Sequence, residues 1–188
     1  MSFPLNALGL SHSFMTQHVP KGGFCIDATA GRGRDTLFLA ELVGEEGKVL
    51  AFDVQEDAVT STSTLLRDHG IHHAEVVLDS HSNMDCYAEK ETADAIMFNF
   101  GWLPGGDHRV FTKKETSITA IENGLEILKP GGVMSLCIYY GKETGYEERD
   151  ALQHFLKTVD PQRLTILFCD FINRTGEPPL VAFLLKTQ

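Results

Sequence analysis

Short apolar runs alternate with amphipathic stretches along most of the chain. GGFCIDAT (residues 22–29) reads as a short buried strand, and DTLFLAELV (35–43) has helical spacing, with Asp35 or Thr36 as its N-cap. KVLAFDV (48–54) predicts a second strand and EDAVTSTSTLLRDHG (56–70) a helix stopped by Gly70. AEVVLD (74–79), DAIMFNF (94–100) and GVMSLCIYY (132–140) predict three more strands. Before the last of these, TSITAIENGLEIL (116–128) predicts a helix closed by Lys129-Pro130-Gly131-Gly132. A helix over GYEERDALQHFLKTV (145–159) follows, then strands LTILFCDFI (164–172) and LVAFLLK (180–186).

Strand–helix alternation with continuous apolar strands predicts an α/β fold, a mostly parallel sheet with helices on both faces. The two closing strands are joined only by NRTGEPP (173–179), too short for a parallel crossover, so the last strand is expected to be antiparallel. Ligands of such sheets bind beyond the carboxyl ends of the strands, at the switch point. That places residues 27–35, Asp53, residues 79–81, 99–107 and 139–141 around one crevice.

With 188 residues, 43% of them hydrophobic, and no long Ser/Gly/Pro-rich stretch, the chain is expected to form one domain, 1–188. No apolar run approaches the ~20 residues of a membrane span, and the N-terminus lacks the basic start of a signal peptide. Cys25, Cys137 and Cys169 lie inside apolar runs and no C-x-x-C pair occurs, which favours reduced thiols and a cytoplasmic location. His69, His72 and His73 cluster around Gly70 without the spacing of a known zinc motif, so no metal is expected. The net charge of −10 weighs against a broad electrostatic grip on nucleic acid, though not against a local basic patch.

The loop IDATAGRGRDT (26–36) carries Gly31 and Gly33 between the first strand and its helix, where glycines allow close backbone approach. Asp53 follows about twenty residues on, where a carboxylate can grip ribose hydroxyls. A plain tight turn would use the same glycines, but the combination favours a nucleoside. The loop begins with Asp27 and lacks a third glycine near Thr36. A carboxylate there repels a pyrophosphate and suits the amino group and sulfonium of S-adenosylmethionine, which is favoured over NAD.

The stretches DATAGRGRDTLFLAELVG, AFDVQ, Ser80-His81, NFGWLPGGD, KPGG, YYGKETGYEE and FINRTGEPP, in that order, resemble the small bacterial class I methyltransferases labelled rRNA methylases. The resemblance covers almost the whole chain. It implies a Rossmann-like domain and S-adenosylmethionine as cofactor. The activity it implies is methylation of 5-aminomethyl-2-thiouridine at the tRNA wobble position, with rRNA or a small-molecule amine as the alternative acceptor. It also implies a donor site of Asp27, Thr29, Gly31, Gly33, Asp35, Thr36 and Asn99, with Asp53 and Gln55 at the ribose and Ser80 and His81 near the adenine. Arg34 and Lys142 depart from that pattern, the first replacing a small polar residue and the second a histidine.

MFNFGWLPGGDHR (97–109) ends a buried strand with a polar amide and the chain's single tryptophan. An amine acceptor must arrive deprotonated, and Asn99 can accept a hydrogen bond from it and aim its lone pair. Trp102 offers a stacking face to a base; Leu103, Pro104, Gly105 and Gly106 shape the turn beside it. The plainer reading has Asn99 capping a turn and Trp102 filling the core. Asp107 either takes the amine proton or neutralises Arg109. Alternation sends Tyr139 and Tyr140 to opposite faces, one of them toward the pocket with Gly141. Glu147 and Glu148 read as a helix's first turn. Arg32, Arg34, Arg109, Lys113, Lys114, Lys142 and Arg174 are expected to form a rim facing the tRNA anticodon region, with a homodimer as an allowed assembly.

Overall fold

In the computed structural model, which describes residues 6–101, 112–141 and 145–187, the apolar runs become seven strands. They are β1 (Phe24–Asp27), β2 (Lys48–Asp53), β3 (Ala74–Leu78), β4 (Ala93–Phe100), β5 (Leu128–Ile138), β6 (Leu164–Cys169) and β7 (Leu180–Lys186). The sheet order is β3-β2-β1-β4-β5-β7-β6. The first five strands run parallel, and β7 is antiparallel to both β5 and β6. The chain winds outward from β1 in one direction, then returns to β4 on its other side. The switch point therefore falls between β1 and β4.

Helices α2 (Arg34–Val43), α3 (Glu56–Asp68), α4 (Lys114–Ile127) and α5 (Tyr146–Thr158) match the amphipathic stretches. The cap of α2 differs from the expectation. It is Gly33, at φ +80°, so Asp35 and Thr36 lie in the first turn rather than at its edge. The KPGG segment differs too. β5 begins at Leu128, and its register against β4 shifts before Val133, so residues 129–132 bulge from the strand instead of separating it from α4.

An additional helix, α1 (Ala7–His18), has no counterpart in the sequence reading. Asn6 caps it by accepting the Gly9 N–H at 2.7 Å. Its buried stripe is Ala7, Ser11 and Met15, a spacing of four with a serine in the middle, which hides the apolar period. The Ser11 hydroxyl is satisfied inside the protein by that of Ser135 on β5, at 2.6 Å. Phe14 stacks on Phe183 of β7, ring centroids 4.3 Å apart.

Strand alternation divides the core. From β4, Ile96, Phe98 and Phe100 pack with Ala120 and Ile121 of α4 and Leu152 of α5. Ala95 and Met97 pack with Met15 of α1 and Leu39 and Val43 of α2. Period two then assigns Asn99 to the α1/α2 side. Cys25 and Cys137 are buried, Cys169 is half-buried, Cys86 is exposed, and all four are free thiols. His73 is hydrogen-bonded to the Ala40 carbonyl and His69 to that of Leu65. Among the described residues no helix is long and apolar enough to cross a membrane.

Candidate active site

Two strand ends make the centre of the site. Asp27 closes β1, is fully buried, and accepts from the Thr36 hydroxyl at 2.6 Å and the Thr29 N–H at 3.1 Å. Thr29 reaches across the switch point, its hydroxyl accepting the Asn99 N–H at 2.7 Å. The loop after β1 is thus tied to the end of β4 through one side chain. Asn99 in turn donates through Nδ2 to Asp35 Oδ2 at 2.7 Å. Asp35, expected beside the cofactor, also binds His12 of α1, Oδ1 to Nε2 at 2.6 Å.

On the other side of the loop, Asp53 ends β2 and accepts the N–H groups of Gly31 at 2.9 Å and Gln55 at 3.0 Å, one on each oxygen. Each oxygen keeps a lone pair for a ligand hydroxyl. Gly33 has a packing reason for being glycine. A Cβ there would come 2.9 Å from Thr62 Cα, so its bareness lets the loop lie against α3. Ser80 caps the short 3-10 turn His81–Cys86 by accepting the Ser82 N–H. His81 bonds through Nδ1 to the Ala28 carbonyl at 3.2 Å. Its Nε2 is buried and has no hydrogen-bond partner among the described residues. Since a carbonyl can only accept, Nδ1 carries the proton and Nε2 is a bare acceptor.

The electrostatics follow from burial. Loss of water, with the neighbouring carboxylates of Asp35 and then Asp53 adding, pushes the Asp27 carboxyl well above the ordinary range, against the hydrogen bonds from Thr36 and Thr29. Burial pulls His81 down to about 4, with the Ala28 carbonyl opposing. Tyr139 is pushed up to about 12, chiefly by burial, so its hydroxyl stays protonated.

The two tyrosines divide as alternation predicts. Tyr139 packs beside Cys137 on the α1 side, whereas Tyr140 is on the other face, against Tyr146 and under the Arg149 guanidinium at 4.6 Å. Tyr139 also abuts Gly101, where a Cβ would come within 2.9 Å of its own. Gly141 makes room for Glu177, whose Oε2 would stand 2.6 Å from a Cβ there. Trp102, Leu103, Pro104, Gly105, Gly106, Asp107, Arg109 and Lys142 lie outside the described residues.

The two residues flanking segment 102–111 are held together. The Thr112 N–H donates to the Gly101 carbonyl at 2.9 Å, and the Gly101 N–H donates to the Thr112 hydroxyl at 2.7 Å. That hydroxyl donates to Glu148 at 2.7 Å, and Ser117 donates to the other Glu148 oxygen at 2.5 Å. Glu147 and Glu148 both lie in the first turn of α5 as read, but Glu148 is a buried anchor whereas Glu147 is exposed. A signal for it existed: Glu148, Leu152 and Leu156 recur every four residues along one buried stripe. His12 had no such signal, since its helix was not legible.

Buried carboxylate, ribose-type acid and orphaned imidazole acceptor fit a ligand with cationic groups, a sugar diol and an amino-bearing base. Residues 49–185 match the family described as "Putative rRNA methylase". A crystal structure described in the same terms, from Clostridium thermocellum, superposes with a TM-score of 0.95 at 40% identity, covering 99% of this chain and 100% of that one. A methyltransferase of Streptococcus mutans, solved in complex with SAH, gives 0.89 at 36% identity over 98% and 99%. The chloroplastic tRNA (mnm(5)s(2)U34)-methyltransferase of Arabidopsis thaliana is 35% identical over 97% of this chain and 70% of its own length. The chain belongs to this rRNA-methylase family of Rossmann-like proteins, and is an S-adenosylmethionine-dependent methyltransferase.

Proposed function

We propose that the chain methylates the amine nitrogen of 5-aminomethyl-2-thiouridine at the wobble position of tRNA. The observation that carries this reading is the pinned amide at the end of β4. Asp35 accepts one N–H of Asn99 Nδ2, which sets the orientation of the amide and offers its side-chain carbonyl to the substrate amine. A carbonyl at that point accepts an N–H of a neutral amine and turns its lone pair outward, which suits nitrogen better than carbon or a ribose hydroxyl. The resemblance to the Arabidopsis wobble-uridine enzyme supports the particular amine.

S-adenosylmethionine supplies, when bound, a methyl group already activated by its sulfonium. The residues that would hold it are Asp27 toward its cationic groups, Asp53 and Gln55 at the ribose, and Ser80 and His81 at the adenine. Thr29, Gly31, Gly33, Asp35 and Thr36 shape the loop around it. With the carbon already activated, the protein's main task is alignment of a deprotonated nucleophile. Trp102 is assigned a stacking role, Leu103 to Gly106 the wall beside it, and Asp107 the released proton, on sequence grounds alone. Tyr139 adds a protonated hydroxyl on the Asn99 side. Arg32, Arg34, Lys113 and Arg174 are exposed and, with Arg109, supply the cationic rim for the anticodon region. The net charge of −10 keeps that contact small, so added salt weakens binding only modestly.

The family description favours a second reading, an rRNA acceptor. Nucleoside mass spectrometry of tRNA and rRNA from cells lacking this protein separates the two. Accumulated aminomethyl-thiouridine in tRNA supports the wobble reading. A normal tRNA profile with one methyl missing from rRNA replaces it.

A further inference from the structure

A polar chain runs from α1 to the end of β4, and the donor-site assignments leave its first member without a role. His12 Nε2 lies 2.6 Å from Asp35 Oδ1, and Asp35 Oδ2 lies 2.7 Å from Asn99 Nδ2. The imidazole is stacked flat on Phe38, centroids 3.9 Å apart and planes within 3°. Asp35 and Phe38 are three residues apart on α2 and so share a face, which lets one ring contact both. Ser11, the preceding residue, is fixed to β5 by its buried bond to Ser135. The imidazole is therefore held on two sides before it meets the carboxylate.

We infer that His12 is a positioning residue for methyl transfer: it fixes Asp35, and through Asp35 the orientation of the Asn99 amide. The inference rests on the reading of Asn99 as the amine's hydrogen-bond acceptor. Both Asp35 oxygens are engaged, one by a ring nitrogen and one by an amide, and the carboxylate plane is set by the pair. Remove the ring nitrogen and the carboxylate is free to rotate, releasing Nδ2. The consequence is chemical as well as geometric. A flipped amide would present its NH2 to the incoming amine and donate into the lone pair that must attack carbon. The correct orientation accepts from the amine and leaves that lone pair free. One rotation of Asn99 thus separates an aligned nucleophile from a masked one.

The test uses His12→Leu, which keeps apolar contact with Phe38 and removes the donor, and His12→Gln, whose amide can still donate to Asp35. The Asn99 side-chain amide is followed by NMR with 15N-asparagine, assigned from an Asn99→Ser variant. Loss of one bond of this strength accelerates its hydrogen exchange about tenfold in His12→Leu, while His12→Gln restores the slow signal. On aminomethyl-thiouridine tRNA, kcat of His12→Leu falls roughly ten- to hundredfold. The SAH dissociation constant stays unchanged within about twofold, and His12→Gln recovers most of the rate. An Asn99 signal indifferent to His12→Leu overturns the inference. So does an unchanged kcat, or a loss of kcat matched by lost SAH affinity and a lowered Tm. If wild-type protein leaves this tRNA unmethylated while the Asn99 signal responds as stated, the acceptor assignment fails and the positioning of Asn99 by His12 stands.

Discussion

Replacing Gly33 with alanine perturbs the loop after β1 at one atom, and the structure supplies its own control. Gly33 and Gly131 share φ +80°, but the surroundings differ: a Cβ at Gly33 meets Thr62 Cα at 2.9 Å and Thr62 Cγ2 at 3.0 Å, whereas one at Gly131 meets nothing within 4 Å. Both variants bear the left-handed backbone penalty of roughly 1–2 kcal/mol. Both also regain about 0.4–1 kcal/mol from the stiffer unfolded chain. Gly33→Ala alone adds the cost of forcing an atom against α3, about 1–3 kcal/mol for an overpacked contact. The backbone of Thr62 cannot move aside as a flexible side chain would. Gly131→Ala is thus expected to lose about 1 kcal/mol and Gly33→Ala roughly 2–4 kcal/mol. Urea unfolding followed by circular dichroism measures both, and SAH titration should show weaker binding for Gly33→Ala only. Equal losses in the two variants would refute the claim that this glycine exists for close packing against Thr62.

Three further outcomes are expected. His81 has a folded-state pKa lowered to about 4 from 6.5, so its neutral form stabilises the protein fully above pH 6.5 and that contribution fades as pH falls toward 4. Urea midpoints across that window should therefore show wild type losing up to about 3 kcal/mol relative to His81→Gln, and parallel curves would remove the burial argument. Asp27, raised by burial beside Asp35, should lose its proton when a cationic donor binds. Calorimetry in two buffers of different ionisation heat detects that release, and its absence would discharge Asp27 from facing the cation. Glu148→Gln leaves one of two hydroxyl donors, half-buried Thr112 or buried Ser117, without an acceptor, at a cost of about 1–3 kcal/mol. Melting curves and turnover should both drop while SAH affinity holds, because what loosens is the base of segment 102–111.

The parts of the molecule legible in the sequence were those whose period was unbroken. The continuous apolar strands gave the sheet, and the short NRTGEPP connection gave the antiparallel end. The end of the apolar run in β4 identified Asn99 as polar at a strand terminus, but not the partner on its face. That partner is Asp35, expected from the chain at the cofactor and found hydrogen-bonded to the amide. The first helix was hidden because its buried stripe includes Ser11, whose hydroxyl is tolerable only once Ser135 faces it. Gly33 illustrates a different limit. A glycine needed for a ligand and one needed for Thr62 look the same in a string of letters. Glu147 and Glu148 occupy the first turn of α5 as read, but only the buried stripe of Glu148, Leu152 and Leu156 tells that one of the two acids is buried.

The berth of α1 has a consequence for the order in which the protein can be assembled. One wall of that berth is β7, where Phe14 meets Phe183, so α1 cannot dock fully until β7 has been made. Closing so long a loop is slow compared with the local winding of β1, α2 and β2. A nascent or stalled chain ending before β7 can thus carry an intact glycine loop while α1 lacks half its dock. Capture of the methyl donor and competence to use it should consequently arise at separate moments during folding, the second only when α1 meets β7.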